Sequence, residues 1–403
     1  MTVSFRHANP QQLAGTLRQA HARTMLLFRS LADAGFDAAV RVPRLPVVNP
    51  PLWEIGHAAW FAEWYGLRGA ASSAPLSARH PSLLDRADDW FDSNTVAHDA
   101  RWTLPLPSTG DILAYCREVH ERLLERLANI RGTEGGDAAL YPFRLALAHE
   151  AMHGEAFFYT LQTLGVRPPA QLLPLASPVQ SGEQLAFDGG ALRMGTPPGQ
   201  GFAFDNELHA HTREVASFVI DAQPVTHRQY LSFIEDGGYR QPRFWSEAGR
   251  EWLAQTERSA PGYWHFRQGH ASEWRCRRFG SDISLPLDEP VRHVSLFEAQ
   301  AYCAWAGRRL PMEAEWEYAA RMQPSRFGWG QVWEWTASAF EPYPGFEAGP
   351  YREYSAPFFG SHQAVRGASF ATFDGLREPQ FRNFYRPHRD DIFVGFRTCA
   401  IAS

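Results

Sequence analysis

Four cysteines in 403 residues, none in a CxxC pair, leave no basis for a disulfide framework or a zinc ribbon. No apolar run reaches the ~18 residues that cross a bilayer, so no transmembrane helix is expected. The first residues, MTVSFRHANPQQLAG, lack a charged-then-apolar signal pattern. Positive charge is not in excess: 39 basic against 44 acidic side chains give a net charge of −5. A basic face for nucleic acid is therefore not expected. Internal repeats and low-complexity tracts are absent too. Together these absences leave a soluble, cytoplasmic protein with neither nucleic acid nor membrane as partner.

What is present is length, histidine and aromatic surface. At 403 residues and 44% hydrophobic content, the chain can bury a large core and is too long for one ordinary domain. Sixteen histidines and 14% aromatic residues, 14 of them tryptophan, point to binding surface as well as core.

The first half reads as helices. Asn9-Pro10 is an N-cap followed by a first-turn proline. Leu13, Leu17, Ala20, Thr24, Phe28 and Leu31 then recur at helical spacing, and Gly35 marks a stop. Asn49-Pro50-Pro51 opens a second helix that closes near Gly66. Ser108 or Thr109 caps a third, with Ile112, Cys116, Val119, Leu123, Leu127 and Ile130 on one stripe. A fourth is expected over 142–165, before Pro168-Pro169. Four such amphipathic helices make a bundle. The connection 67–107 is long, and connections of that length are often functional. Beyond a Pro- and Ser-rich linker the texture turns irregular and mixed, rich in Gly, Pro, Trp and Arg, with helices expected near 296–305 and 313–321.

The sharpest local signal is His149-Glu150-Ala151-Met152-His153 in the fourth helix. Residues four apart share a helical face, so both imidazoles can reach one metal ion. Chance supplies roughly 0.6 such pairs at this histidine content, so spacing alone is weak support. HExxH is also the zinc-protease signature, with the glutamate as base. That reading needs a third ligand downstream, and here helix simply continues. Glu155 points about 200° round the helix from His153. His57, alone in the aromatic helix WEIGHAAWFAEWY, is the better third ligand. Three neutral imidazoles suit zinc, copper or iron alike.

With these residues in view, WEIGHAAWFAEWY and HEAMHGE resemble the DinB-like domain of the iron-dependent ergothioneine-type sulfoxide synthases. The second half strengthens the likeness. VRHVSLFEAQAYCAWAGRRLPMEAEWEYAAR (291–321), QVWEWTAS (331–338), AVRGASF (364–370) and YRPHRDDIFVGFRTCA (385–400) resemble the formylglycine-generating-enzyme, or sulfatase-modifying, domain. The implied architecture is α plus α+β: a DinB-like four-helix bundle over 1–170, a linker over 171–185, and a C-type-lectin-like domain over 186–403. Formylglycine-generating activity itself is not expected, because ATFDGLREPQF (371–381) has no cysteine.

The resemblance implies Fe(II), with O2 as co-substrate and hercynine bound beside the metal. By match, His57, His149 and His153 are the iron ligands. Tyr351 and Tyr354, in PYREYSAPFFG, resemble a pair of active-site tyrosines, with Tyr351 as the proton donor. Asn383 and Phe384 fall where the family holds the hercynine betaine. An aromatic face there suits a quaternary ammonium, which cannot hydrogen-bond. The shared site is expected where the two halves meet.

Departures from the peptide-using enzymes bear on the donor. DSNTVAHDARW (92–102) matches a stretch with two arginines for the donor's carboxylates. Arg101 matches the second, but His98 stands at the first. Tyr385 replaces an acidic residue, and Met152 replaces a glutamine. A carboxylate-rich donor favours bidentate arginine, whereas His98, Tyr385 and Trp102 better suit a neutral sugar. This pattern is similar to the selenoneine synthases, which join hercynine to a selenosugar. The alternatives left open are a thiol-using sulfoxide synthase, taking cysteine or γ-glutamylcysteine, and a zinc hydrolase. Three weaker signals, Arg275-Cys276-Arg277-Arg278, His209-Ala210-His211 and Phe187-Asp188-Gly189-Gly190, read as loop, surface strand and turn.

Overall fold

A computed structural model of the chain describes residues 4–74, 77–130, 136–173, 178–180, 182–269 and 273–401. Helix α1 (Pro10–Asp33) begins at a capping box in which Asn9 Oδ1 accepts from Gln12 N and Gln12 Oε1 accepts from Asn9 N. Every member of its apolar stripe, from Leu13 to Leu31, is buried. The chain turns at Gly35, where φ is +81°, a conformation that favours glycine. Helix α2 (Pro51–Gly66) is buried almost all round. Such a helix belongs at the centre of a bundle, and it packs against α1 and most extensively against α4 (Thr109–Ala128) and α5 (Gly136–Leu164).

The start of α5 departs from expectation. Pro142 lies inside the helix rather than opening it. The long connection 67–107 contains the short helix α3 (Ala87–Phe91), which packs on α2, and a 3-10 turn at His98–Trp102. Asp88 of α3 pins this connection to α2, accepting from Trp60 Nε1 at 2.7 Å and from both Nη atoms of Arg68.

The expected linker is met only in part: residues 174–177 and 181 lie outside the described ones, and β1 (Gln184–Phe187) already begins within its span. The turn at Gly189 leads into a hairpin of β2 (Gly190–Met194) and β3 (His211–Val215). β4 (Phe218–Asp221) pairs with β1. Helices α6 (His227–Glu235) and α7 (Glu247–Thr256) follow, and both were missed from sequence. Their signals were short: a Thr226/Gln229 capping box and a Ser246 cap, each with little more than two turns behind it. Strands β5 (Trp264–Arg267), β6 (Glu273–Arg278) and β7 (Ser281–Ser284) form a small antiparallel sheet. The Arg275–Arg278 run is therefore strand rather than loop, with Arg275 paired to Glu273 and Asp282 and Arg278 to Glu289.

Helices α8 (Leu296–Ala306) and α9 (Glu313–Met322) stand close to where the sequence predicts them. β8 (Arg308–Arg309) lies between them. A second sheet has the order β11 (Asn383–Tyr385), β10 (Gln363–Arg366), β9 (Trp333–Ala339), β12 (Val394–Gly395). The last strand, β13 (Cys399–Ala400), lies between β4 and β8, so the beginning and end of the second half meet in one sheet.

The chain contains no lysine, so all 39 of its basic side chains are arginines. Several are fully buried in this half, including Arg366 on Glu317 and Arg397 on Glu334. A planar guanidinium fork satisfies a buried carboxylate in a way a lysine ammonium does not. No helix among the described residues is long and apolar enough to cross a membrane.

Candidate metal centre and adjoining pocket

Helix α5 presents His149 and His153 one turn apart, and α2 brings His57 against them. One ligand atom from each lies within 4.8 Å of the others. Ring centroids are 5.1 Å apart for His57 and His149, 4.9 Å for His57 and His153, and 4.5 Å for His149 and His153.

Hydrogen bonds fix the tautomer of two of the three rings. His57 Nδ1–H donates to the Phe91 carbonyl at 2.7 Å. His153 Nδ1–H donates to the Glu54 carboxylate at 2.9 Å. Both hydrogen bonds leave Nε2 with a free lone pair, the arrangement that ligand histidines adopt. His149 is buried with neither ring nitrogen partnered. A buried polar group without a partner is costly, and a metal ion would satisfy it. Burial first, then neighbouring His153, holds the His57 and His149 pKa values well below the usual imidazole value. They stay neutral, as ligands must be.

Aromatic packing fixes the rings. Phe61 stacks on His149 with centroids 3.5 Å apart, and Trp53 stacks on His57 at 4.9 Å. Phe91 packs so closely on α2 that a Cβ at Gly56 would meet its ring at 2.4 Å. The long connection thus supplies both the carbonyl that orients His57 and the ring that covers Gly56.

Beside the triad lies a cavity of about 450 Å³ lined by both halves of the chain. Of the residues singled out from sequence, Arg101, Tyr351, Tyr354, Asn383, Phe384 and Tyr385 line it. Tyr351 bridges cavity and triad, its ring 5.9 Å from His149 and 4.8 Å from Phe61. Burial, then Glu353, raises its pKa, so the phenol keeps its proton at neutral pH. Tyr354 stacks on Phe204 at 4.3 Å and has a buried hydroxyl without a partner. Asn383, Phe384 and Tyr385 form edge strand β11, where pairing of Ala364 with Phe384 sets the register. Asn383 Nδ2 donates to the Tyr385 hydroxyl at 3.1 Å.

His98 is not brought to the cavity. Its Nε2 lies 2.9 Å from the Val48 carbonyl and its Nδ1 faces Asp99. Trp102 is likewise turned away, its indole donating to the Val42 carbonyl. Arg101 does reach the cavity, held by Asn49 Oδ1 at 2.7 Å and lying 3.9 Å over the Trp53 ring.

Glu150, the glutamate of HExxH, faces away from the triad, with Oε1 3.1 Å from His21 Nδ1. Being one residue from His149 puts it about 100° round the helix. The hydrolase geometry, which needs that carboxylate at the metal, is therefore absent.

Sequence reading missed two cavity carboxylates. It weighed Glu155 only as a metal ligand, whereas the side chain accepts from Trp333, Ser369 and Thr372 of the second half. Its signal was an acid within an otherwise apolar helical run. Glu353, between the two tyrosines, also lines the cavity.

Fold and site together define a protein in which a helical bundle with a three-histidine centre meets a lectin-like domain. Comparisons with known proteins agree. The DinB superfamily matches residues 16–157, and the sulfatase-modifying factor enzyme 1-like domain matches 171–331 and 328–402. Hercynine oxygenase of Mycobacterium tuberculosis is 34% identical over 442 residues, spanning 96% of this chain and 98% of that one. Hercynine oxygenase of Mycolicibacterium smegmatis is 32% identical, spanning 96% and 98%. The formylglycine-generating enzyme of Streptomyces coelicolor is 36% identical over 170 residues, 39% of this chain and 53% of that one. The chain belongs to the hercynine oxygenase family, and it is an enzyme of the oxidoreductase class.

Proposed function

We propose that this protein uses iron(II) and dioxygen to join C2 of the hercynine imidazole to a chalcogen donor, and that the donor is a selenosugar of the 1-seleno-glucose type. The observation that carries the reading is His149, buried with both ring nitrogens unpartnered beside two imidazoles whose Nδ1 atoms are committed elsewhere. Full-length likeness to proteins named hercynine oxygenase supports hercynine as the acceptor. In the net change, a C–H and an Se–H bond give way to C–Se, with two electrons and two protons passing to dioxygen.

Iron held by His57, His149 and His153 would supply dioxygen activation and a template for both substrates. The remaining work belongs to the chain. Tyr351 holds a phenolic proton on Oη next to the ligand set and is placed to deliver it. Phe384, stacked on Phe340 and lining the cavity, would give the trimethylammonium group of hercynine an aromatic neighbour. Asn383, whose amide already meets Tyr385, is placed for the betaine end. Tyr159, Trp333 and Phe381 wall the cavity and exclude water.

Among the described residues Arg101 is the one arginine lining the cavity, which supports the neutral-donor reading, because a donor with several carboxylates favours more than one. The thiol reading, with cysteine or γ-glutamylcysteine as donor, is favoured by the identity with the mycobacterial enzymes over the whole chain.

The test is a competition. Protein loaded anaerobically with Fe(II) receives hercynine together with selenoglucose, thioglucose, cysteine and γ-glutamylcysteine, then air, and products are identified by mass. A dominant selenium adduct of hercynine is expected. A cysteine or γ-glutamylcysteine sulfoxide would replace the sugar reading with the thiol one. No hercynine adduct at all would overturn both.

A further inference from the structure

We infer that Glu353 is a specificity-determining residue that binds hydroxyl groups of a neutral, polyhydroxylated donor. The inference rests on the hercynine reading above and deepens it.

Among the described residues two carboxylates line the cavity, and they differ in how they are engaged. Glu155 accepts three hydrogen bonds: Trp333 Nε1 and Ser369 Oγ donate to Oε1 at 2.8 and 2.6 Å, and Thr372 Oγ1 donates to Oε2 at 2.8 Å. Glu353 has a buried Oε2 with no hydrogen-bond partner. No ion pair involves it among the described residues. A desolvated carboxylate oxygen without a donor costs free energy in the empty protein, and a ligand bringing O–H groups recovers it.

Position gives this free acceptor its meaning. Glu353 lies in the 3-10 turn Arg352–Tyr354, between Tyr351 and Tyr354, so it shares a wall with the phenol that packs on His149. Ser93 and Asn94 line the same cavity with neutral polar groups that can donate or accept. Asp92, on the same segment, is buried, and burial together with the charge of Glu353 raises its pKa.

Arg101, the one arginine of the lining among the described residues, donates to Asn49 through Nη1 and stacks on Trp53, and its buried Nε has no partner. A donor with two carboxylates would meet that single guanidinium and be repelled by Glu353. A sugar offers several hydroxyl donors, to which an unpaired carboxylate flanked by serine and asparagine is complementary. An amino-acid thiol is the competing fit, because its ammonium could pair with Glu353.

Two variants of the full-length protein, Glu353→Gln and Glu353→Leu, separate these cases by direct binding. Dissociation constants for hercynine, 1-thioglucose and cysteine are measured anaerobically by calorimetry, each thiol titrated into protein already saturated with hercynine. Steady-state KM for selenoglucose is measured in parallel. For Glu353→Leu, thioglucose Kd and selenoglucose KM are expected to rise about tenfold or more, with hercynine Kd changed less than about twofold. Glu353→Gln, isosteric and still able to accept a hydrogen bond, is expected to lose about threefold and keeps the test open if the leucine variant does not fold. Unchanged sugar binding in both variants would overturn the inference. So would a loss confined to cysteine, which would assign Glu353 to an ammonium group. If the wild-type protein binds hercynine and cysteine but no sugar, the selenosugar reading itself fails, and the inference falls with it through a distinct result.

Discussion

The carboxylate of Glu155 accepts a hydrogen bond from the indole Nε1 of Trp333 at 2.8 Å, tying the helix that carries His149 and His153 to strand β9 of the second half. Ser369 and Thr372 complete the contact. All four side chains are buried. Three donors converging on one carboxylate from another part of the chain set the rotation of α5, and so the direction of both its histidines.

Glu155→Ala should therefore destabilise the folded protein by about 3 kcal/mol, since it strands three buried donors at once. Glu155→Gln should cost less, because one amide oxygen still accepts. Thermal or denaturant unfolding of the metal-free protein checks this. Equal stability of wild type and the alanine variant would show that the contact does not hold the two halves together.

Gly56→Ala tests how α2 aims its ligand. The new methyl would meet the Phe91 ring at 2.4 Å and displace the segment whose carbonyl orients His57. Disturbing a hydrogen bond that orients a metal ligand typically costs 10–100-fold in affinity. Iron(II) affinity, measured by competition with a chromogenic chelator, should fall by about that factor while circular dichroism stays unchanged. Wild-type affinity would mean that the Phe91 contact is not needed to orient His57.

Glu150→Gln separates the oxygenase reading from a hydrolase. Because Glu150 pairs with His21 on another face of α5, the substitution should change hercynine turnover by less than about threefold. A general base at a metal is worth about 10²–10⁴-fold, and a loss of that size in kcat would contradict the geometry.

Glu298 predicts a pH dependence of stability. It caps α8, is fully buried, and burial, followed by the charge of Asp390, pushes its pKa up to about 7. The folded state therefore keeps a proton that the unfolded state has lost above the ordinary glutamate value. Stability from this group is full at low pH and falls as pH rises towards 7, by roughly 3 kcal/mol. Relative to Glu298→Gln, the wild-type protein should lose stability across pH 4.5–7 in denaturant titrations. Parallel curves would show that Glu298 titrates normally. His293, held down to about 3 by burial, acts in the opposite sense and cancels in this comparison.

Local signals in the sequence served the bundle well. The stripe of α1, the Asn9 cap, the Ser108 cap and the one histidine pair four residues apart each report short-range physics, and each has its counterpart in the structure. Where packing outweighs local preference, the reading faltered. Pro142 sits within α5, and helices α6 and α7 are short enough that tertiary contacts complete them. Resemblance grouped His98 with Arg101 because the segment 92–102 matches a stretch that carries two donor-binding arginines. Their side chains nevertheless diverge, one to the Val48 carbonyl and the other over Trp53.

The order of amino acids alone determined the helices of the first half and the shared face of His149 and His153, because both follow from 3.6-residue periodicity. It also brought Asn383, Phe384 and Tyr385 together, since they are adjacent in the chain. Only the tertiary structure decided that His57 meets the pair, that His57 and His153 leave Nε2 free, that Glu150 turns away, and that Glu155 accepts three hydrogen bonds while Glu353 Oε2 accepts none. These depend on partners tens to hundreds of residues distant, whose approach is set by buried packing that no local pattern encodes.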